Sequence, residues 1–147
     1  MSEGVTITHL NPDSGERFQP LRRELGVSTF GFNLITLQPG ERGRVHEHQR
    51  QEEVFVILEG VLDLVSSDET KELAEGDCVR VAPKVRRQLV NRGPGRLVLI
   101  ALGGSNEHDG RDGVAYASWD AQTGGSPQEV TAPDNLSAAE LRAGGAG

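Results

Sequence analysis

Short apolar runs separated by turn residues predict an all-β barrel or sandwich for this 147-residue chain. Turn signals recur at Pro39-Gly40, Glu59-Gly60, Ser67-Asp68, Glu75-Gly76-Asp77 and Asn91-Arg92-Gly93-Pro94-Gly95. The runs between them are five to eleven residues long and rich in Val, Ile, Leu, Phe and Thr. No 3.6-residue period links one run to the next.

Taken in order, the runs predict strands over Ser28–Gln38, Arg44–His48, Glu53–Leu58, Val61–Ser66, Thr70–Ala74, Cys78–Ala82, Arg87–Asn91 and Arg96–Leu102. Alternation is clearest at Phe30, Phe32 and Leu34, which are assigned to the inner face with Asn33 turned away. Phe55, Ile57 and Leu89 complete the inner apolar set. Val54–Leu58 is apolar on both faces, the pattern of a strand covered twice, and predicts a symmetric homodimer or coverage by the N-terminal segment. Residues 1–27 read as an N-terminal extension with Val5–Leu10 as a candidate extra strand. Residues 28–102 are the barrel, and 103–121 a return segment anchored by Tyr116 and Trp119. Residues 122–147 read as an irregular, flexible tail with a capping-box signal at Ser137–Glu140.

Composition narrows the function. Fifteen Lys and Arg stand against 22 Asp and Glu, for a net charge of −7. That balance argues against a nucleic-acid or anionic-membrane partner, because both need a basic footprint. The longest apolar runs, Val54–Leu58 and Leu97–Leu102, are too short to span a bilayer. The first fifteen residues have neither the basic nor the apolar region of a signal peptide. The lone Cys78 excludes an internal disulfide and fits a reducing cytoplasm; its apolar surroundings read as a buried, inert thiol.

One constellation carries chemistry. Gly40, His46, His48, Glu53 and Gly60 form G-x5-H-x-H-x4-E-x6-G. In a strand His46 and His48 point the same way, and Glu53, at the start of the next strand, can be brought opposite them. Two imidazoles and one carboxylate, with open coordination positions, form a donor set for iron, manganese, nickel or zinc.

This pattern resembles the first motif of the cupin family, with all five fixed positions filled. The second motif, G-x5-P-x-G-x2-H-x3-N, follows in altered form. Gly76 opens it and Asn91 closes it, but Ala82 occupies the proline slot, Lys84 the glycine slot and Arg87 the histidine slot. The resemblance spans about Phe30 to Leu102. It implies a double-stranded β-helix, or jelly-roll, barrel with a divalent metal at His46, His48 and Glu53. It also implies either a metal-dependent oxygenase, isomerase or decarboxylase acting on a small organic acid or sugar, or a metal-free ligand-binding barrel.

Arg87 separates these readings. A guanidinium about 5 Å from a divalent ion repels it by roughly 6–7 kcal/mol at an effective dielectric of about 20. Arg87 therefore swings to the barrel mouth, pairs with Glu53 in place of metal, or clamps a small anionic ligand. The last role makes it the candidate substrate-binding residue. Gln51 and Glu47 read as solvated, Glu52 as solvated or paired with Arg50, His9 and His108 as surface histidines, and Asn91 as a turn residue.

Overall fold

The structure is a computed structural model that describes residues 4–104 and 112–142. Two five-stranded antiparallel sheets face each other. The elements are β1 (Phe18–Gln19), α1 (Leu21–Leu25), β2 (Gly31–Leu37), β3 (Val45–His48), β4 (Glu52–Glu59), β5 (Val61–Ser66), β6 (Thr70–Ala74), β7 (Cys78–Val81), β8 (Arg87–Val90), β9 (Leu97–Gly104) and β10 (Gly113–Tyr116). One sheet has the order β1-β2-β9-β4-β7 and the other β10-β3-β8-β5-β6. All eight strands expected from the sequence form, with ends displaced by a few residues. His108 lies outside the described residues.

The core between the sheets is built from alternate residues of the facing strands, among them Ile35, Leu37, Phe55, Ile57, Leu62 and Leu99. On β2 this reverses the expected face. Ile35 and Leu37 point inward and Asn33 lines the cavity, whereas Phe32 and Leu34 lie on the outer side with Leu21 and Val98. Period 2 separates two faces without saying which is inside, and here both are apolar because α1 covers the outer one. Phe30 is exposed. Cys78, expected to be buried, is also exposed, because β7 is an edge strand and the residue faces outward.

The described segments on either side of the barrel strands both lie against the barrel. Val5–Leu10 forms no strand; Gln19 on β1 ties it down, its amide donating to the His9 carbonyl and its oxygen accepting the Asn11 N–H. Residues 122–142, read from sequence as a loose tail, lie along the barrel. Gly125 bridges to Ala115, Leu136 is buried with its N–H on the Gly40 carbonyl, and Arg142 holds Asp63 through both carboxylate oxygens. Composition hides this because the segment is held by scattered backbone carbonyls and one buried leucine, which leave no period in the sequence. Among the described residues, no helix is long and apolar enough to cross a membrane.

Candidate metal centre

The motif residues converge across the sandwich. His46 and His48 project from β3 in one sheet and Glu53 from β4 in the other. β3 and β4 are not a hydrogen-bonded pair, so the sandwich itself brings the carboxylate opposite the imidazoles. His46 Nε2 stands 3.5 Å from Glu53 Oε1, and His48 Nε2 stands 3.5 Å from Glu53 Oε2. The three candidate ligand atoms lie within 4.8 Å of one another. Donors about 2.1 Å from a shared ion stand roughly 3–3.5 Å apart, so these residues fit a divalent metal.

The far side of each ring is also specified. His46 Nδ1 lies 3.1 Å from the Arg44 carbonyl oxygen, which can only accept, so Nδ1 carries the proton. His48 Nδ1 lies 3.8 Å from Oδ2 of Asp112, a buried carboxylate that also accepts the N–H groups of Arg50 and Gln51. A carboxylate behind a ligand imidazole orients the ring. Sequence reasoning missed Asp112 because it lies 64 positions from His48, in a Gly-Arg-Asp-Gly stretch that carries no ligand motif. Burial pushes the Asp112 carboxyl up, but those backbone N–H groups and the His48 charge outweigh it and lower its pKa.

Arg87 takes the second of its three expected positions. It pairs directly with His46 across β3 and β8, so both side chains share the inward face. Its side chain is fully buried, donating one nitrogen to Glu53 Oε1 at 2.7 Å and another to the Val85 carbonyl at 2.8 Å. It does not line the cavity that His46, His48 and Glu53 line. This geometry does not support the anion-clamp role, because Glu53 stands between Arg87 and the cavity and occupies the guanidinium. Burial pushes the Glu53 carboxyl up. Hydrogen bonds from His46 and His48, with the charges of His46 and Arg87, more than reverse this and hold it well below the usual carboxylate range.

The flanking polar residues follow their sequence reading only in part. Glu52 is solvent-exposed, as expected, and pairs with Arg80, while the Arg50 guanidinium lies 3.6 Å from Asp112. Gln51 is buried, and Glu47 accepts the Tyr116 hydroxyl. Asn91 does brace its turn: its amide donates to the Leu37 and Gly95 carbonyls and its oxygen accepts the Gly93 N–H.

A cavity of about 360 Å³ opens beside the three candidate ligands, walled by Ile35, Leu37, Phe55 and Leu89 and rimmed by Arg17 and Arg44. A second lobe of about 400 Å³ shares His48, Glu53, Asn33 and Gln128 with it and runs toward α1. Pro127 and Gln128 bring the C-terminal segment to both lobes.

Comparison with known proteins agrees with this architecture. The family model for the cupin domain matches residues 33–103. A cupin protein from Bacteroides fragilis superposes with a TM-score of 0.62 at 22% identity, over 71% of this chain and 86% of its own. A Cupin 2 conserved barrel domain protein from Salinispora arenicola gives 0.56 at 26% identity, over 66% and 82%. A sugar phosphate isomerase from a cupin superfamily, from Silicibacter pomeroyi, gives 0.58 at 21% identity, over 94% and 93%. No curated protein matches. The sheet order, the filled first motif and the matched span together make this chain a small cupin-superfamily domain with a double-stranded β-helix fold.

Proposed function

We propose that this cupin binds one divalent metal through His46, His48 and Glu53 and acts on a small anionic metabolite held in the adjoining cavity. The observation that carries this reading is the convergence of acceptors. With its Nδ1 proton committed to a carbonyl, His46 presents Nε2 to a carboxylate oxygen 3.5 Å away, and His48 Nε2 stands as far from the other oxygen, its own Nδ1 making no hydrogen bond. Three lone-pair-bearing groups aimed at one point repel unless protons or a metal cation lie between them. Two imidazoles and one carboxylate suit iron, manganese, nickel or zinc. When bound, such an ion polarises a substrate oxygen or activates dioxygen or water.

The chain's own residues have separate roles. His46 offers Nε2 in a set tautomer, His48 offers Nε2 with the Asp112 carboxylate behind its ring, and Glu53 supplies the anionic donor. Arg87 shares the Glu53 charge and so weakens the site for a cation. The apolar walls exclude water from one side of the cavity. A metal-free binding barrel is the second reading, favoured by the Arg87–Glu53 pair, which already neutralises the carboxylate. Assembly as a homodimer through the outer face of β4 and β9 belongs to the same proposal.

The test is metal content of protein purified without chelators or a histidine tag. Stoichiometric metal in the wild type, lost in His46→Ala/His48→Ala with the β-sheet circular dichroism unchanged, is the expected result. A wild type without metal that also fails to take up added zinc, manganese, nickel or ferrous ion removes the metal reading and leaves the binding barrel.

A further inference from the structure

Most arginines in the described structure have an acidic or carbonyl partner. Arg17, Arg80, Arg87, Arg92, Arg96 and Arg142 pair with carboxylates. Arg42 and Arg44 donate to the Asp134 and Val130 carbonyls, and Arg86 donates to Trp119 and Ala121. With 22 acidic residues against 15 basic ones, such partners are plentiful. Arg22 and Arg23 differ. Among the described residues neither guanidinium has a carboxylate or carbonyl partner, and Arg22 Nε is buried without a hydrogen bond, as are Arg87 Nε and His48 Nδ1 at the candidate metal centre. A buried donor left unmade costs about 1–3 kcal/mol, a cost that a ligand oxygen accepting from it would relieve.

The position of Arg22 suits such a ligand. α1 is pinned by Leu21, which is fully buried against Leu34 and Val98, and is closed by Gly26 in the left-handed conformation. Arg22 is therefore carried on a fixed turn rather than a loose loop. With Arg23 it lines the lobe that also contains His48 and Glu53, together with the amides of Asn33 and Gln128. Two guanidinium groups and three amides, those of Asn33, Gln51 and Gln128, line that lobe with a single carboxylate, Glu53, and Arg87 already occupies it. The planar fork of an arginine matches the paired oxygens of a carboxylate or phosphate.

We infer that this lobe is an oxyanion subsite anchored by Arg22, taking the carboxylate or phosphate of a small molecule whose other end reaches the His46, His48 and Glu53 centre. The inference deepens the proposed function and rests on it for the second half of that sentence. Arg22, rather than Arg87, supplies the anion recognition.

Isothermal titration of metal-free protein with inorganic phosphate and, separately, with malonate tests the subsite without the metal. Saturable 1:1 binding of at least one anion is expected, weakened at least tenfold in Arg22→Gln and unchanged in Arg80→Gln, a charge loss of equal size outside the cavity. Phosphate alone would identify a phosphate ester, and malonate alone a carboxylate. Equal affinity in wild type and Arg22→Gln, or no saturable binding of either anion, overturns the inference. Metal content measured on the same samples keeps the two proposals apart. Metal without anion binding removes only the subsite, and Arg22-dependent anion binding without metal removes only the metal-dependent function.

Discussion

At the scale of single residues, the Glu53–Arg87 pair decides how this cupin differs from a four-ligand site. Arg87 occupies the position of the missing imidazole, opposite His46, and gives its charge to Glu53, the one anionic candidate ligand. Arg87→His removes the cation and adds a fourth donor, a third nitrogen, so affinity for zinc should rise at least a hundredfold, about 2.8 kcal/mol at 1.4 kcal/mol per tenfold. Zinc affinity within threefold of wild type in a competition assay would show that Arg87 does not oppose the metal. The lowered pKa of Glu53 has its own consequence. A carboxyl whose folded pKa lies below its unfolded value adds stability above the unfolded pKa, about 4.3 for Glu, and loses it as pH falls through the folded value. Urea midpoints should therefore fall below about pH 4, and fall less in the paired variant Glu53→Gln/Arg87→Met, which removes both charges together. An identical acid slope in the two proteins would mean that other carboxylates carry the effect.

At the scale of elements, two turns that carry the chain from one sheet to the other show how the backbone is shaped. Gly60, between β4 and β5, has φ of 82°, and a Cβ there would stand 2.2 Å from the Arg96 carbonyl oxygen. Gly60→Ala should cost about 3 kcal/mol or more, because strain and overlap add. Denaturation within 1 kcal/mol of wild type would mean that the β4–β5 turn and the strand beside it shift easily. Lys84, in the family's glycine slot, has φ of 67°. The turn before β8 has kept its left-handed residue although the glycine is gone. The Lys84 N–H donates to the His48 carbonyl at 2.7 Å, tying that turn to the end of the ligand strand.

At the scale of the whole molecule, α1 covers one end of the β2-β9-β4 face and leaves the rest half-covered. Val54, Val56 and Leu58 on β4, and Ile100 and Leu102 on β9, are partly exposed in the single chain. The N-terminal segment does not close this gap, since Val5 is 52% and Ile7 79% exposed. Both faces of β4 are thus apolar while only the inner one is sealed, which is the basis for the expected homodimer. Multi-angle light scattering at micromolar concentration should give twice the chain mass, and Val56→Lys should return it to the mass of one chain. A wild type that elutes as a monomer refutes the assembly.

The sequence by itself determined the all-β class, the eight principal strands and the three ligand candidates. Turn residues and two-residue alternation are local, and the His46-His48-Glu53 spacing lies within one short stretch of chain. Recognising the family added the slot occupied by Arg87, and strand pairing with His46 places that residue inward. Only the tertiary structure decided which face of β2 is inside, since both faces are apolar and α1 covers one of them. It alone brought Asp112 behind His48 and Arg22 to the cavity, across 64 and 26 positions of chain, and neither residue type carries a signal at such separations. It also decided that Arg87 neutralises Glu53 rather than facing a ligand, because the choice depends on which acceptor a buried guanidinium reaches first. That is a matter of packing between two sheets, and no spacing along one strand encodes it.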